Sequence, residues 1–100
     1  MATTPSVLFR GAASTGSTTL YTVPASTTTI ITDILVTNTA ATTATFTLNF
    51  DGVAVFSAAF IPANSTASFN IKQVLTTTKV IAGSASATTI NFSISGVQLT

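Results

Sequence analysis

The sequence contains no cysteine, histidine or glutamate, and these absences exclude most enzyme chemistry. General acid–base catalysis uses His, Glu, Asp, Lys, Tyr or Cys side chains that titrate near the working pH. Without histidine and cysteine, neither a Ser–His–Asp nor a Cys–His arrangement is possible, and no disulfide can form. A metal site would have to combine two aspartates with neutral oxygen ligands. We therefore predict no enzymatic activity, no catalytic residues, no cofactor site and no metal site.

The few ionisable residues stand in no pattern that indicates catalysis. Asp51 is followed by glycine between two strand patterns, and an Asp-Gly pair there is typical of a hairpin turn. Asp33 lies inside a strand pattern, where aspartate is depleted. Pairing with Arg10 or a lysine, or exposure at a sheet edge, would account for it without a function. A Ser–Lys dyad at Lys72 or Lys79 has no distinguishing spacing.

Charge is scarce, since three basic and two acidic side chains leave a net charge of +1. Nucleic-acid binding needs clustered basic residues, whereas Arg10, Lys72 and Lys79 are scattered, so we expect no nucleic-acid partner. The most apolar stretch, residues 53–63, is shorter than the roughly 18–20 residues of a membrane span, so we expect no membrane partner. Residues 1–16 lack a basic region followed by an apolar one, which predicts synthesis in a cytoplasm without a cleaved signal.

Threonine and serine take the place of charge and make up about a third of the chain. Apolar residues alternate with them in residues 43–50, 65–71 and 88–96, which is typical of half-buried strands. Threonine is β-branched and suits the outer side of such a strand. We expect the seven phenylalanines to pack in the core. The predicted core residues are Phe46, Leu48, Phe50, Phe69, Ile71, Ile90, Phe92 and Ile94.

Turn residues divide the chain into about eight strand patterns, and helical periodicity is absent. The strands are predicted near 6–10, 18–23, 28–38, 44–50, 53–60, 66–72, 78–83 and 88–99. This spacing predicts an all-β fold without helices, an antiparallel two-sheet β-sandwich of jelly-roll or immunoglobulin-like topology. Gly96 is expected to mark a bulge in the last strand. Residues 1–6 are predicted to form an extended N-terminal arm, and residues 7–100 a single domain.

The outer surface of such a sandwich would carry unusually little charge. Surfaces of free soluble domains hold about 25–35% charged residues, against 5% in the whole of this chain. Protein contact surfaces are depleted of charge at their centres, so we expect much of the surface to be covered in an assembly. A small neutral domain that tolerates this composition is the alternative. The candidate partner contacts are arm residues, which have no core pattern: Ala2, Thr3, Thr4 and Pro5.

Two stretches of the chain resemble small virion proteins of tailed bacteriophages. LYTVPASTTTIITDILVTNTAATTATFTLNFDGVAVF (residues 20–56) is similar to a pattern in which a strand ending in LYTVPA leads into a threonine- and valine-rich strand, a VTNT-like segment and a hairpin. NFSISGVQL (residues 91–99) resembles the last strand of that family. The resemblance implies a β-sandwich virion component without catalytic residues, either a capsid decoration (cement) protein or a module of a tail appendage.

The leading hypothesis is a cement protein on the capsid surface, made in the host cytoplasm. It would form a homotrimer, bind the major capsid protein or another virion protein, and stabilise the head. The 100 residues make one domain without a coiled-coil or triple-helical stalk, which favours this reading. The alternative is a tail-fibre, baseplate or host-adhesion subunit of the same fold, for which exposed aromatic residues would be expected. An ice-binding protein built on T-x-T rows is disfavoured by the irregular spacing of those rows.

Overall fold

Residues 3–100 are described by a computed structural model, and they form nine β-strands and no helix. In this part of the chain there is accordingly no helix that could cross a membrane. The predicted all-β class is confirmed. In chain order the strands are β1 (Thr3–Ala12), β2 (Thr18–Thr22), β3 (Thr28–Asn38), β4 (Ala44–Phe50), β5 (Val53–Ile61), β6 (Ser65–Phe69), β7 (Gln73–Leu75), β8 (Val80–Ala85) and β9 (Ile90–Leu99).

The strands form two antiparallel sheets that enclose one core. Sheet A has the order β1-β9-β3-β6, and β7 also pairs with β3; sheet B has the order β2-β8-β4-β5. The first strand therefore pairs with the last, the second with the one before it, and so on inward to the β4–β5 hairpin. This nested wrapping is a jelly roll, in which β6 and β7 share one strand position. The predicted antiparallel two-sheet sandwich is confirmed, with the jelly-roll topology.

The core forms where apolar side chains alternate inward from facing strands. Six of the eight predicted core residues are buried, and Phe69 and Ile71 pack half-buried against them. The ring of Phe46 lies at the centre, with its centroid 5.4 Å from that of Phe56 and 6.0 Å from that of Phe92. Because Phe46 belongs to sheet B and Phe92 to sheet A, these rings join the two sheets.

Strand β3 changes the phase of its alternation halfway along. Ile31 is buried, and the next buried residues are Ile34 and Val36. The register against β9 shifts between Ile31 and Asp33, so Thr32 is an inserted residue and forms a β-bulge. The bulge leaves Asp33 exposed on the outside of the sheet.

The irregularity predicted at Gly96 lies in the two neighbouring strands instead of in β9. The inserted residues are Thr32 in β3, opposite the Ser95–Gly96 step of β9, and Leu8 in β1, opposite the Ile94–Ser95 step. A Cβ atom on Gly96 would overlap the carbonyl oxygen of Ile30, so the position requires glycine. The β9 backbone therefore lies close to that of β3 at this position, and the extra residues are in the neighbouring strands.

Two other parts of the chain differ from the predicted strands. Strand β1 begins at Thr3, so the described residues of the expected arm already pair with β9. The segment predicted as one strand at 66–72 ends at Phe69, and a short strand, β7, follows it. Both β6 and β7 pair with β3, one on each side of the Thr32 bulge, because the bulge interrupts the ladder between them.

Candidate interaction surface

Three of the four predicted partner contacts are exposed residues at the free edge of sheet A. Thr3, Thr4 and Pro5 lie in β1 and pair with β9, whereas Ala2 lies outside the described residues. Proline has no backbone N–H and is well suited to an edge strand. Contact of these residues with a partner stays a prediction. Because one side of β1 is already paired with β9, a partner would have to contact these residues from the open edge or from the outer face of sheet A.

Pro5 begins an apolar row that runs across the outer face of sheet A. It pairs with Val97, which pairs with Ile30, which in turn pairs with Val74. Val74 is 62% exposed. Directly opposed residues in a sheet share a face, so the four side chains form a continuous strip.

A shallow groove of about 360 Å³ lies further along the same outer face. Arg10 borders it and donates a hydrogen bond from Nε to Ser93 Oγ at 3.2 Å. Leu35, which is paired with Ser93 on the other side, provides an apolar wall. Arg10 is the one charged residue that lines the groove, and its polar neighbours are short side chains. No pattern in the sequence predicted this groove.

The charged residues occupy separate positions. Asp33 is exposed, and among residues 3–100 it makes no ion pair with Arg10 or a lysine. The alternative, exposure at a sheet edge, is correct for the exposure but not for the edge, because β3 lies between β9 and β6. Asp51 and Gly52 both have positive φ, as the predicted hairpin turn requires. Asp51 lies 3.5 Å from the Lys79 ammonium, and both side chains are exposed. The described part of the chain contains no cluster of three or more acidic ligands that would suit a metal ion.

Sheet B differs from sheet A in having no charged residue in any of its four strands. One cross-strand row runs over the whole width of its outer side through Ala54, Asn49, Ala82 and Thr19. All of these side chains are short and neutral, so the surface has little relief. We call this surface the sheet B face, and its outward residues are Thr19, Thr45, Thr47, Asn49, Ala82 and Ser84.

Strand β5, at the edge of sheet B, exposes large apolar side chains. Phe60 is 76% exposed, Val53 64% and Val55 40%. The expectation that every phenylalanine packs in the core is therefore wrong for Phe60. Phe60 is paired with Thr45 and lies on the outer side of the sheet, next to the sheet B face.

A β-bulge explains the orientation of Phe60. In a regular strand Phe56 and Phe60 would face the same side, and Phe56 packs against the core. Two residues, Ser57 and Ala58, stand opposite the single residue Thr47 and reverse the phase. Ala58 has a φ of 48°, in the left-handed region, and its N–H donates to Thr47 Oγ1 at 3.1 Å.

The VTNT segment contains a buried structural asparagine. Asn38 is fully buried, and its Nδ2 donates to the carbonyl oxygens of Thr42 at 2.7 Å and Ile61 at 3.2 Å. Its Oδ1 accepts a hydrogen bond from the Ala40 N–H at 3.0 Å. The side chain thus holds the β3–β4 loop against the end of β5. The sequence signal was available, because Asn38 lies in phase with the buried Val36.

A second polar cluster lies between the sheets at the end where β1 begins. Tyr21 OH is 2.9 Å from Thr29 Oγ1 and accepts a hydrogen bond from Gln98 Nε2 at 2.6 Å. Ser6 Oγ donates to Gln98 Oε1 at 3.2 Å. These neutral contacts connect the start of β1 and the end of β9 to β2 in the opposite sheet, which is a structural role.

Comparison with known proteins adds no family to these observations. No protein-family model matches the chain, and no curated protein matches it. The surface itself therefore carries the functional argument, and its main features are the neutral sheet B face and the exposed apolar side chains of β5.

Proposed function

We propose that this chain is a non-enzymatic structural protein of a tailed-phage virion, and that it serves as a capsid decoration (cement) protein. In this role it sits on the capsid surface as a homotrimer, binds the major capsid protein or a neighbouring virion protein, and stabilises the head. The observation that carries the proposal is the charge-free sheet B, with a neutral outer face and a strongly exposed Phe60.

Physical chemistry supports a covered surface on this sheet. The centres of protein contact surfaces are poor in charge and rich in aromatic residues. Burying a neutral, short-chained surface removes no unpaired charge from water, which is the main cost of covering a polar surface. Jelly rolls also form many viral capsid domains, although a fold shared with them is an analogy and does not by itself identify a function.

The experiment that tests the proposal compares heads that carry the chain with heads that lack it. We expect heads without it to release their contents at a lower temperature, and purified chain added back to restore the wild-type midpoint. Because neutral contacts dominate, binding to heads should change little between low and high salt. Heads that are equally stable with and without the chain would contradict the cement role.

A tail-fibre, baseplate or host-adhesion subunit is the second candidate, and Phe60 is the observation that favours it. Exposed aromatic side chains commonly supply the binding energy at recognition surfaces. Imaging of whole virions with the chain labelled separates the two roles, since a cement protein lies on the head and an adhesion subunit on the tail. Loss of host adsorption in a Phe60→Ala virion with stable heads would support the tail assignment.

A further inference from the structure

We propose that copies of this chain bind one another through sheet B, with Phe60 of one copy packed on the sheet B face of the next. The inference rests on the self-association in the proposed function and adds the surface that performs it. The occupant of the sheet B face is therefore a second copy of this chain.

Charge is the first reason to choose a second copy as the occupant. Every strand of sheet B is neutral, so a contact between the strands of two sheet B surfaces buries no charge and opposes no like charges. The exposed Asp51–Lys79 pair lies at the hairpin end of the sheet, whereas Phe60 lies towards the other end. The outer face of sheet A contains Arg10 and the exposed Asp33. A contact through that face would have to pair or desolvate both groups. Sheet B is thus the surface of this chain that best tolerates its own copy.

Shape is the second reason. The sheet B face is covered by short side chains such as those of Ala82 and Ser84, whereas Phe60 projects at its edge with 76% of its surface exposed. The projecting ring of one copy can therefore lie flat on the uncharged surface of short side chains of the next copy. Because the ring and the receiving surface are different patches, the contact is heterologous, and such contacts close into rings when the rotation allows. A three-membered ring agrees with the proposed homotrimer.

The backbone around Phe60 provides an independent observation. Ala58 adopts a left-handed conformation that costs energy for any residue with a Cβ, and the bulge it forms is what turns Phe60 outward. A regular strand would have placed Phe60 towards the core. The bulge thus combines two unfavourable features, a strained backbone at Ala58 and an apolar ring exposed to water. Covering the ring in the assembly would offset the cost of both.

The bulges in β5 also determine whether another strand can pair with this edge of sheet B. Open edge strands are templates for pairing with another strand, and bulges twist them away from such pairing. Strand β5 has register shifts around both Thr47 and Leu48 of its partner strand. We therefore expect copies to contact one another through side chains, and we do not expect a strand of another copy to extend sheet B by pairing with β5.

The test measures the mass of the purified chain by sedimentation across a micromolar concentration series. We expect wild-type oligomers, and self-association weakened at least about tenfold by Phe60→Ala. Phe60→Lys and Val74→Lys form a matched pair, because the two side chains are 76% and 62% exposed and lie on the outer sides of different sheets. The first should weaken association, and the second should leave it within about twofold of wild type.

The receiving surface is tested by Ala82→Lys, which places a charge in the sheet B face, and by the more exposed Thr19→Lys. Both should weaken association while the unfolding midpoint of the monomer shows that the fold is kept. A wild-type chain that stays monomeric, or variants of sheet B that associate like wild type, would overturn the inference. So would an equal loss of association in Val74→Lys.

This outcome is separable from that of the proposed function. Heads stabilised by a monomeric chain would refute self-association through sheet B and leave the cement role in place. A chain that associates through sheet B but does not stabilise heads would refute the cement role and leave the contact surface in place.

Discussion

Sheets A and B share one core, yet their outer sides are built differently. Sheet A has Arg10 and Asp33 in its strands and an apolar row that ends at Val74. Sheet B has no charge in its strands, a face of short side chains and one projecting ring, Phe60. The few charged residues of this chain are therefore unevenly distributed. Sheet A has charged side chains on its outer face, whereas the strands of sheet B have only neutral ones.

The largest expected effect concerns the hydrophobic core that the two sheets share. Phe92→Ala should lower the free energy of unfolding by about 3–5 kcal/mol, because a buried ring that touches Phe46 in the other sheet is lost. Phe46→Ala should cost a similar amount, although it lies in sheet B. Urea unfolding measures both. If either variant melted in two separate steps, the sheets would not form one cooperative unit.

The next effect compares a glycine from each sheet. Gly96→Ala should destabilise the fold by about 1–3 kcal/mol, since the new methyl group meets the Ile30 carbonyl. Gly83→Ala should cost less, because its nearest contacts are side-chain atoms of Leu48 and Leu20, at 2.9 and 3.0 Å. Gly16→Ala, with no atom within 4 Å, is the neutral control. Equal thermal midpoints for the first two variants would mean that the β9 backbone can shift.

A smaller effect tests the bulge that distinguishes the edge of sheet B. Thr47→Ala removes the acceptor of the Ala58 N–H and should cost about 0.5–1.5 kcal/mol. Its neighbour Thr45 is also outward and half-buried, but among residues 3–100 its hydroxyl accepts no such bond from β5, so Thr45→Ala should change stability by less than about 0.5 kcal/mol. Position on the strand alone predicts the same tolerance for both threonines. Indistinguishable denaturation curves would remove the structural role assigned to Thr47.

The smallest effect concerns the ion pair at the end of sheet B. Asp51→Asn should reduce stability by less than about 1 kcal/mol, because exposed pairs are screened by solvent. Asparagine keeps the turn preference, so the substitution isolates the charge. Unfolding in low and high salt should therefore differ slightly for the wild type and hardly at all for the variant. A large salt-independent loss would indicate that Asp51 acts through the turn.

Strands with unbroken alternation were predictable from sequence, and bulged strands were not. In β4 and β9 the inward apolar residues, such as Phe46 and Phe92, follow a strict period of two, and all of them are buried. In β3 and β5 inserted residues reverse the pattern, which is why the core position expected for Phe60 was wrong and the place of Asp33 in the sheet was not predicted. Bulges arise from contacts between strands, such as the glycine at position 96 against the β3 backbone, and composition near the bulge does not reveal them.

The candidate interaction surface was also only partly predictable from the sequence. Composition alone predicted that a neutral surface would be covered, since five charged side chains cannot solvate a whole domain surface. It did not predict which side, because residues far apart in the chain, such as Thr19 and Ala82, become neighbours only through the jelly-roll pairing. The expected arm at Thr3–Pro5 was likewise incorporated into sheet A by pairing with β9.

The polar cluster between the sheets gives the molecule its own optical probe. The chain contains one tyrosine and no tryptophan, so excitation at wavelengths that phenylalanine does not absorb produces fluorescence from a single ring. That ring belongs to Tyr21, whose hydroxyl binds Thr29 and Gln98 where β1, β2 and β9 meet. Its emission will therefore respond to separation of the sheets at this end, without any label, whereas Phe60 lies at the other end of sheet B, opposite Thr45.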